Sequence, residues 1–194
     1  MMIENTTEDH LMKILVISDT HGSTGKVLEI WEKLTNVDLI IHLGDYEKDA
    51  RHLEEILGTP VVSVKGNMDG SYSPDDYKVI DTEYGKLFLA HGHMHNVKMS
   101  PLNLIYQAQE LGCKAALFGH THRPAYEESH GIRLINPGSL SQPRDGSQGS
   151  YAILHISPEE FHCAIVYYTP SSPKKKEPPK KGRLRNMLNY SDRF

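Results

Sequence analysis

The chain has 194 residues, 38% hydrophobic and 24% charged, the proportions of a soluble globular domain large enough to bury a sizeable core. It carries a formal net charge of −4, which offers no general attraction for a polyanion. It has no continuous apolar run of the roughly 18 residues needed to span a membrane, and its first residues lack the basic-then-apolar pattern of a secretory signal, so a cytoplasmic location is expected.

The charge is unevenly spread. Residues 1–12 carry −3, residues 13–169 carry −7, and residues 170–194 carry +6. Residues 1–11 are expected to form a flexible leader, with Met12 a second candidate start just before the first strand. Residues 170–194 are rich in Pro, Lys and Ser, cannot bury enough surface to offset their ordering entropy, and are expected to form a flexible basic tail. Residues 12–169 form the expected domain. Its two cysteines, Cys113 and Cys163, are too few for a disulfide framework and are expected to be reduced.

Within the domain, Lys13–Ser18 is a short continuous apolar run, as in a buried parallel strand. Gly25–Thr35 has helical spacing, with Val27, Leu28, Trp31 and Leu34 on one face. Asp38–Leu43 predicts a second strand, Asp49–Leu57 a second helix and Pro60–Lys65 a third strand. Tyr77–Glu83 and Lys86–Ala90 are β-rich segments meeting at a turn at Tyr84–Gly85. Pro101–Leu111 predicts a helix with Pro in its first turn, ended by Gly112. Lys114–Phe118 is another strand, Arg123–Glu128 and Ile132–Ile135 a hairpin across His130–Gly131, and Tyr151–Ile156 with Phe161–Tyr168 a closing hairpin. βαβ units followed by antiparallel strands predict an α/β fold of two packed sheets flanked by helices.

The chemistry follows the strands. The first ends in Asp19-Thr20-His21-Gly22, the second in Gly44-Asp45 and the third in Gly66-Asn67-Met68-Asp69. Two later ones end in His91-Gly92-His93 and Gly119-His120-Thr121-His122. Ligands of open α/β sheets gather at the carboxyl ends of strands, so five strand ends aim carboxylates, imidazoles and an amide at one rim. Each motif alone is weak, because Asp after a strand is often a turn former and a lone His is often only polar. Their recurrence in this order argues for a metal site of Asp19, His21, Asp45, Asn67, His91, His120 and His122. A mixed imidazole, carboxylate and amide set without cysteine argues against structural zinc. It suits Mn, Ni, Fe, Co or catalytic Zn better than Ca or Mg, with Mn the first expectation. Seven ligands exceed one tetrahedral ion, whereas two divalent ions sharing a bridging carboxylate would use them all.

The order D-x-H, G-D, G-N-x-D, H-G-H, G-H-x-H resembles the calcineurin-like metallophosphoesterase superfamily. MKILVISDTHG, GNMD, GHTH and INPGS look more narrowly like its small YfcE-type phosphodiesterases. The resemblance covers about Met12 to Tyr168. It implies a four-layer α/β/β/α sandwich of two mixed sheets and a dinuclear phosphodiesterase acting on a small phosphodiester. Asp19, His21 and His122 would bind the first ion, Asn67, His91 and His120 the second, and Asp45 both. It further implies in-line attack on phosphorus by a hydroxide bridging the ions. Asn67 could also hold a phosphate oxygen. Asp69 would orient a neighbouring ligand, or is simply a turn residue. Many superfamily members carry His where this chain has Met68, which cannot protonate a leaving group. His93 or water would then do so, or the ester needs a good leaving group, and this favours diesters.

His95 reads as a solvated loop residue, and His42 as a core residue or one behind the ligands. The segment Asn136-Pro137-Gly138-Ser139 could pack beneath the metal loops. Arg144 is a candidate phosphate contact, because a guanidinium matches phosphate bidentately, or an ordinary surface arginine. Two other functions compete. One is a catalytically weak protein-interaction scaffold, as in a retromer subunit of similar fold. The other is a nuclease whose basic tail touches nucleic acid, although a domain of −7 repels polyanions. Pairing of two copies through an exposed hydrophobic edge is a further expectation.

Overall fold

The computed structural model describes residues 11–70 and 76–170. The expected leader, apart from Leu11, and the expected tail beyond Pro170 lie outside the described residues. Among the described residues ten strands and three helices follow one another as β1 (Met12–Ile17), α1 (Gly25–Trp31), β2 (Leu39–His42), α2 (Glu47–Leu57), β3 (Val61–Ser63), β4 (Tyr77–Thr82), β5 (Gly85–Ala90), α3 (Leu102–Glu110), β6 (Cys113–Phe118), β7 (Pro124–Ser129), β8 (Ile132–Pro137), β9 (Ser150–Ile156) and β10 (Phe161–Tyr167). Among the described residues no helix is long and apolar enough to cross a membrane.

The strands form two mixed five-stranded sheets, β10-β9-β1-β2-β3 and β4-β5-β6-β8-β7. β1–β2–β3 run parallel, as do β5–β6–β8, while the outer hairpins pair antiparallel. The central strands are apolar on both faces because both are covered. Ile14, Val16, Ile41, Leu43 and Leu154 of the first sheet pack on Leu87, Leu89, Leu117 and Ile135 of the second. On the first sheet's outer face, Leu15, Ile17 and Ile40 meet Val27 and Ile30 of α1 and Leu53 of α2. On the second sheet's outer face, Phe88, Ala116 and Leu134 meet Leu104, Ile105 and Ala108 of α3. The fold is therefore the four-layer α/β/β/α sandwich. The carboxyl ends of β1, β2, β3, β5 and β6 open onto the same rim.

Two helix boundaries differ from the sequence expectation. Helix α1 stops at Trp31, and Lys33 N and Leu34 N bond three residues back, to Ile30 and Trp31. The last turn tightens, so the apolar spacing continues without further α-helix. Helix α2 begins at Glu47, two residues earlier than expected, although its N-cap residue Tyr46 makes no side-chain cap bond. A carboxylate from a distant loop, Asp69, caps it instead.

Candidate metal centre

The first loop after β1 is built around Asp19. Asp19 Oδ2 accepts hydrogen bonds from Ser18 Oγ (2.5 Å) and His120 N (3.0 Å), and Asp19 O accepts from Ser139 Oγ (2.9 Å) and Ser141 Oγ (2.8 Å). The carboxylate is thereby fixed with Oδ1 pointing into the rim, fully buried and with no hydrogen-bond donor. A buried acceptor without a donor is costly unless a cation faces it.

The imidazoles around it are also aimed. His122 Nδ1 lies 2.7 Å from Gln142 O and His91 Nδ1 2.7 Å from Leu43 O, so each Nδ1–H donates to a carbonyl and each Nε2 lone pair is free. His122 Nε2 then lies 3.1 Å from Asp19 Oδ1 and 3.4 Å from His21 Nε2, while His91 Nε2 lies 3.9 Å from Asp19 Oδ1. Acceptors facing acceptors at these distances require a proton or a cation between them. The same geometry appears in the titration of the pair. Asp19 raises the pKa of His122 above the ordinary imidazole range, chiefly through their close contact. Burial alone would raise Asp19, but His122, His91 and Ser18 together hold its carboxyl below the usual range.

Asp45 sits between two groups. Its Oδ2 is 3.7 Å from His21 Nε2 and its Oδ1 is 3.5 Å from His91 Nε2. One ligand atom from each of Asp19, His21, Asp45 and His122 fits within 4.8 Å of the others, a set able to hold a metal ion. On the other side, Asn67 Oδ1 lies 3.2 Å from His91 Nε2, and the His120 ring packs edge-on against His91 at 5.0 Å. Burial, with His91 and Lys98 nearby, pushes His120 down to about 4, so the ring stays neutral and able to ligate. Asp19, His21, Asp45, His120 and His122 all have positive φ, although none is glycine. Such strain gathers where function holds the backbone in place.

The support beneath the rim comes from His42, Asp69 and Asn136, which the sequence already suggests lie behind or beneath the ligands, and from Thr20 and Asp49, which local sequence does not mark. His42 Nδ1 accepts from Gly44 N, its Nε2 donates to Thr20 Oγ1 (2.9 Å), and Thr20 Oγ1 donates to Asp49 Oδ2 (2.5 Å), which also accepts from Gly22 N. Burial drives His42 down to about 4, and the neutral ring holds the 19–22 loop. Asp69 does more than turn the chain. Its carboxylate accepts from Tyr46 N (2.9 Å), Glu47 N (2.6 Å) and Gly66 N (2.8 Å), locking the Asp45 and Asn67 loops together at the positive end of α2. Asn136 Nδ2 donates to Gly119 O and Thr121 Oγ1, so the 136–139 segment does underlie the 119–122 loop. Asp49 and Ser141 were not expected at the site. Asp49 reads locally as a residue opening α2 and Ser141 as loop, and their roles arise only from the fold.

His93 is half-buried, its ring 5.3 Å from His91 and 6.1 Å from His120, and burial lowers its pKa. His95 corrects the expectation of a solvated loop residue. It is buried, Nε2 bonds Gln107 Oε1 of α3 at 2.6 Å, and its ring meets Phe88 edge-on, because the 92–97 segment folds back on Gly92 O. Arg144 N bonds His122 O, and its side chain lines an adjoining cleft with Val97, Lys98, Thr121 and Arg123. A roomier cavity of about 500 Å³ lies at the opposite strand ends, bounded by Met12, Asp38, Asp81, Thr82, Glu83 and Ile156. It has no imidazoles and is remote from the convergent ligands, so chemistry favours the rim.

Comparison with known proteins agrees with this geometry. Residues 12–159 match the calcineurin-like phosphoesterase superfamily domain. The chain is 40% identical over 160 residues to the "Probable metallophosphoesterase YsnB" of Bacillus subtilis (strain 168), covering 81% of this chain and 90% of that protein. It is 30% identical over 170 residues to the phosphodiesterase YfcE of Escherichia coli (strain K12), covering 74% and 88%. The crystal structure of a conserved uncharacterized protein from Streptococcus pneumoniae TIGR4, a predicted phosphoesterase, superposes with a TM-score of 0.68 at 31% identity, covering 81% and 90%. With its strand-end carboxylates and imidazoles converging on one rim, the chain belongs to the calcineurin-like phosphoesterase superfamily.

Proposed function

We propose that this metallophosphoesterase is a phosphodiesterase that works with two divalent ions. Asp19, His21 and His122 would hold one, Asn67, His91 and His120 the other, and Asp45 both. The observation that carries the reading is Asp45, whose two oxygens face His21 and His91 separately. Imidazole, carboxylate and amide donors suit Mn, Ni, Fe, Co or Zn, and Mn is taken first. Two such ions, when bound, supply Lewis acidity and a water made acidic enough to attack phosphorus at neutral pH.

The protein's own groups do the positioning. Gln142 O and Leu43 O keep His122 and His91 in the ligating tautomer, and Ser18 with His120 N keeps Asp19 Oδ1 inward. Asn67 is exposed at the rim, where its amide can also reach a phosphate oxygen. Met68 beside it is 55% exposed and has no proton to give. His93, whose ring packs near His91 and His120, or water then serves the leaving oxygen. A diester also suits the surface. One cleft of about 370 Å³ adjoins His120 and His122, and another of about 420 Å³ lies beside Met68 and Tyr46, giving each ester arm a place.

Hydrolysis of bis-p-nitrophenyl phosphate with Mn, with Mg and with EDTA tests the reading. Mn is expected to support turnover and EDTA to abolish it. Asp45→Asn and His91→Ala are each expected to abolish turnover while the melting profile stays cooperative. Retained turnover in either variant refutes the ligand assignment. Absence of both turnover and bound metal would instead indicate a scaffold, and single-strand DNA cleavage lost on deleting residues 170–194 would indicate a nuclease.

A further inference from the structure

We propose that the cleft beside His120 and His122 receives a second phosphate of the substrate, carried on one ester arm away from the scissile group. This rests on the phosphodiesterase reading and narrows its substrate class. The cleft is lined by Val97, Lys98, Thr121, Arg123 and Arg144. Three cations thus border one cavity in a segment, 13–169, whose net charge is −7. Among the described residues none of the three forms a direct ion pair, although Asp145 lies near enough to Arg123 to feel its charge. Asp145, close in sequence, turns Oδ1 to Ser147 N and Oγ.

The cations are tied to the catalytic rim. Thr121 stands between His120 and His122, and its Oγ1 bonds both Arg123 N (3.2 Å) and Arg123 O (3.3 Å). Arg144 N bonds His122 O at 3.0 Å. Like charges held together repel unless an anion joins them, and guanidinium groups suit a phosphate's oxygens bidentately. The cleft on the opposite flank differs. It mixes Lys48 and Arg51 with Glu47 and Asp69, beside Tyr46 and exposed Met68, and suits an uncharged arm. The two flanks therefore distinguish the ends of an asymmetric diester.

Two chromogenic diesters test this with the Mn-loaded full chain at fixed ionic strength. They are thymidine 5′-(p-nitrophenyl phosphate) and the same compound bearing a 3′-phosphate. The 3′-phosphate is expected to raise kcat/KM roughly tenfold or more, the gain of about one charge-assisted contact. In the Lys98→Gln/Arg123→Gln double variant the ratio of the two kcat/KM values is expected to fall close to one. Calorimetric titration with the products, thymidine 3′,5′-bisphosphate against thymidine 5′-phosphate, is expected to show the same preference and the same loss. Equal rates for the two diesters, equal product affinities, or a ratio unchanged in the double variant each overturn the proposal while leaving the phosphodiesterase reading intact. Failure to cleave either diester overturns both.

Discussion

A methyl group added at Gly66 tests how closely the β2 and β3 loops must approach. A Cβ built there would lie 2.2 Å from Asp45 Oδ1, 2.3 Å from Asp45 N and 2.9 Å from Asp45 Cα. Ordinary contact begins near 3.4 Å, so the overlap exceeds 1 Å and two of the three atoms belong to backbone. No rotamer relieves it, and the two loops must part. Overpacking of this kind costs about 1–3 kcal/mol. The larger effect falls on Asp45, the proposed bridging ligand, because displacing a group at the reacting centre by about 1 Å can lower turnover on the order of 100-fold. Gly66→Ala is therefore expected to fold, to melt a few degrees lower, and to lose about two orders of magnitude in bis-p-nitrophenyl phosphate hydrolysis with weakened Mn binding by calorimetry. Gly25→Ala, at the start of α1 with nothing within 4 Å of the added atom, is the control and is expected to behave as wild type. Wild-type turnover and Mn affinity in Gly66→Ala would show that close contact between these loops does not set the geometry of Asp45.

Asp69→Asn removes a carboxylate that serves three backbone donors and turns an NH₂ toward at least one of them. It should cost about 1–3 kcal/mol in denaturant unfolding and weaken Mn binding roughly 10- to 100-fold; unchanged Mn affinity would reduce Asp69 to a helix cap. His42 makes the metal-free fold acid-labile. Its folded pKa of about 4 lies below 6.5, so the unfolded chain takes up the proton first. Stability is full above about pH 6.5 and falls by about 3 kcal/mol as pH drops toward 4. In EDTA, His42→Gln should lose less melting temperature than wild type between pH 7 and pH 5; an equal loss would refute this. Disrupting the His95–Gln107 bond by Gln107→Leu leaves a buried imidazole facing an apolar group. A loss of about 1–3 kcal/mol is expected in urea unfolding, with kcat on bis-p-nitrophenyl phosphate little changed.

The sandwich and the rim were legible because they rest on local signals. Continuous apolar runs marked strands covered on both faces, and what followed each run marked the strand tip. Asp19, His21, Asp45, Asn67, His91, His120 and His122 were read this way as candidate ligands, and the structure brings their side chains to one rim. What local sequence could not show was long-range support. Asp49 looks locally like a helix-start residue, and Asp69 reads either as orienting a neighbouring ligand or as a turn residue; only the fold reveals that they tie loops separated by more than 20 residues. The early start of α2 was missed for the same reason, since its cap comes from the β3 loop. His95 was misread because loop polarity suggested water, whereas the turn on Gly92 folds the ring against α3. The cations of the flanking cleft come from three separate segments, and nothing in the spacing of Lys98, Arg123 and Arg144 announces that they share a cavity.

The donors of the rim come from both sheets, Asp19, His21, Asp45 and Asn67 from one and His91, His120 and His122 from the other. A cation seated among them would act as a rivet through the seam of the sandwich. Its affinity would then gauge how well the two layers are docked, and half-assembled states would grip it weakly. Loading with metal should thus raise the unfolding temperature with concentration, and damage far from the rim that loosens the seam should register first as metal loss.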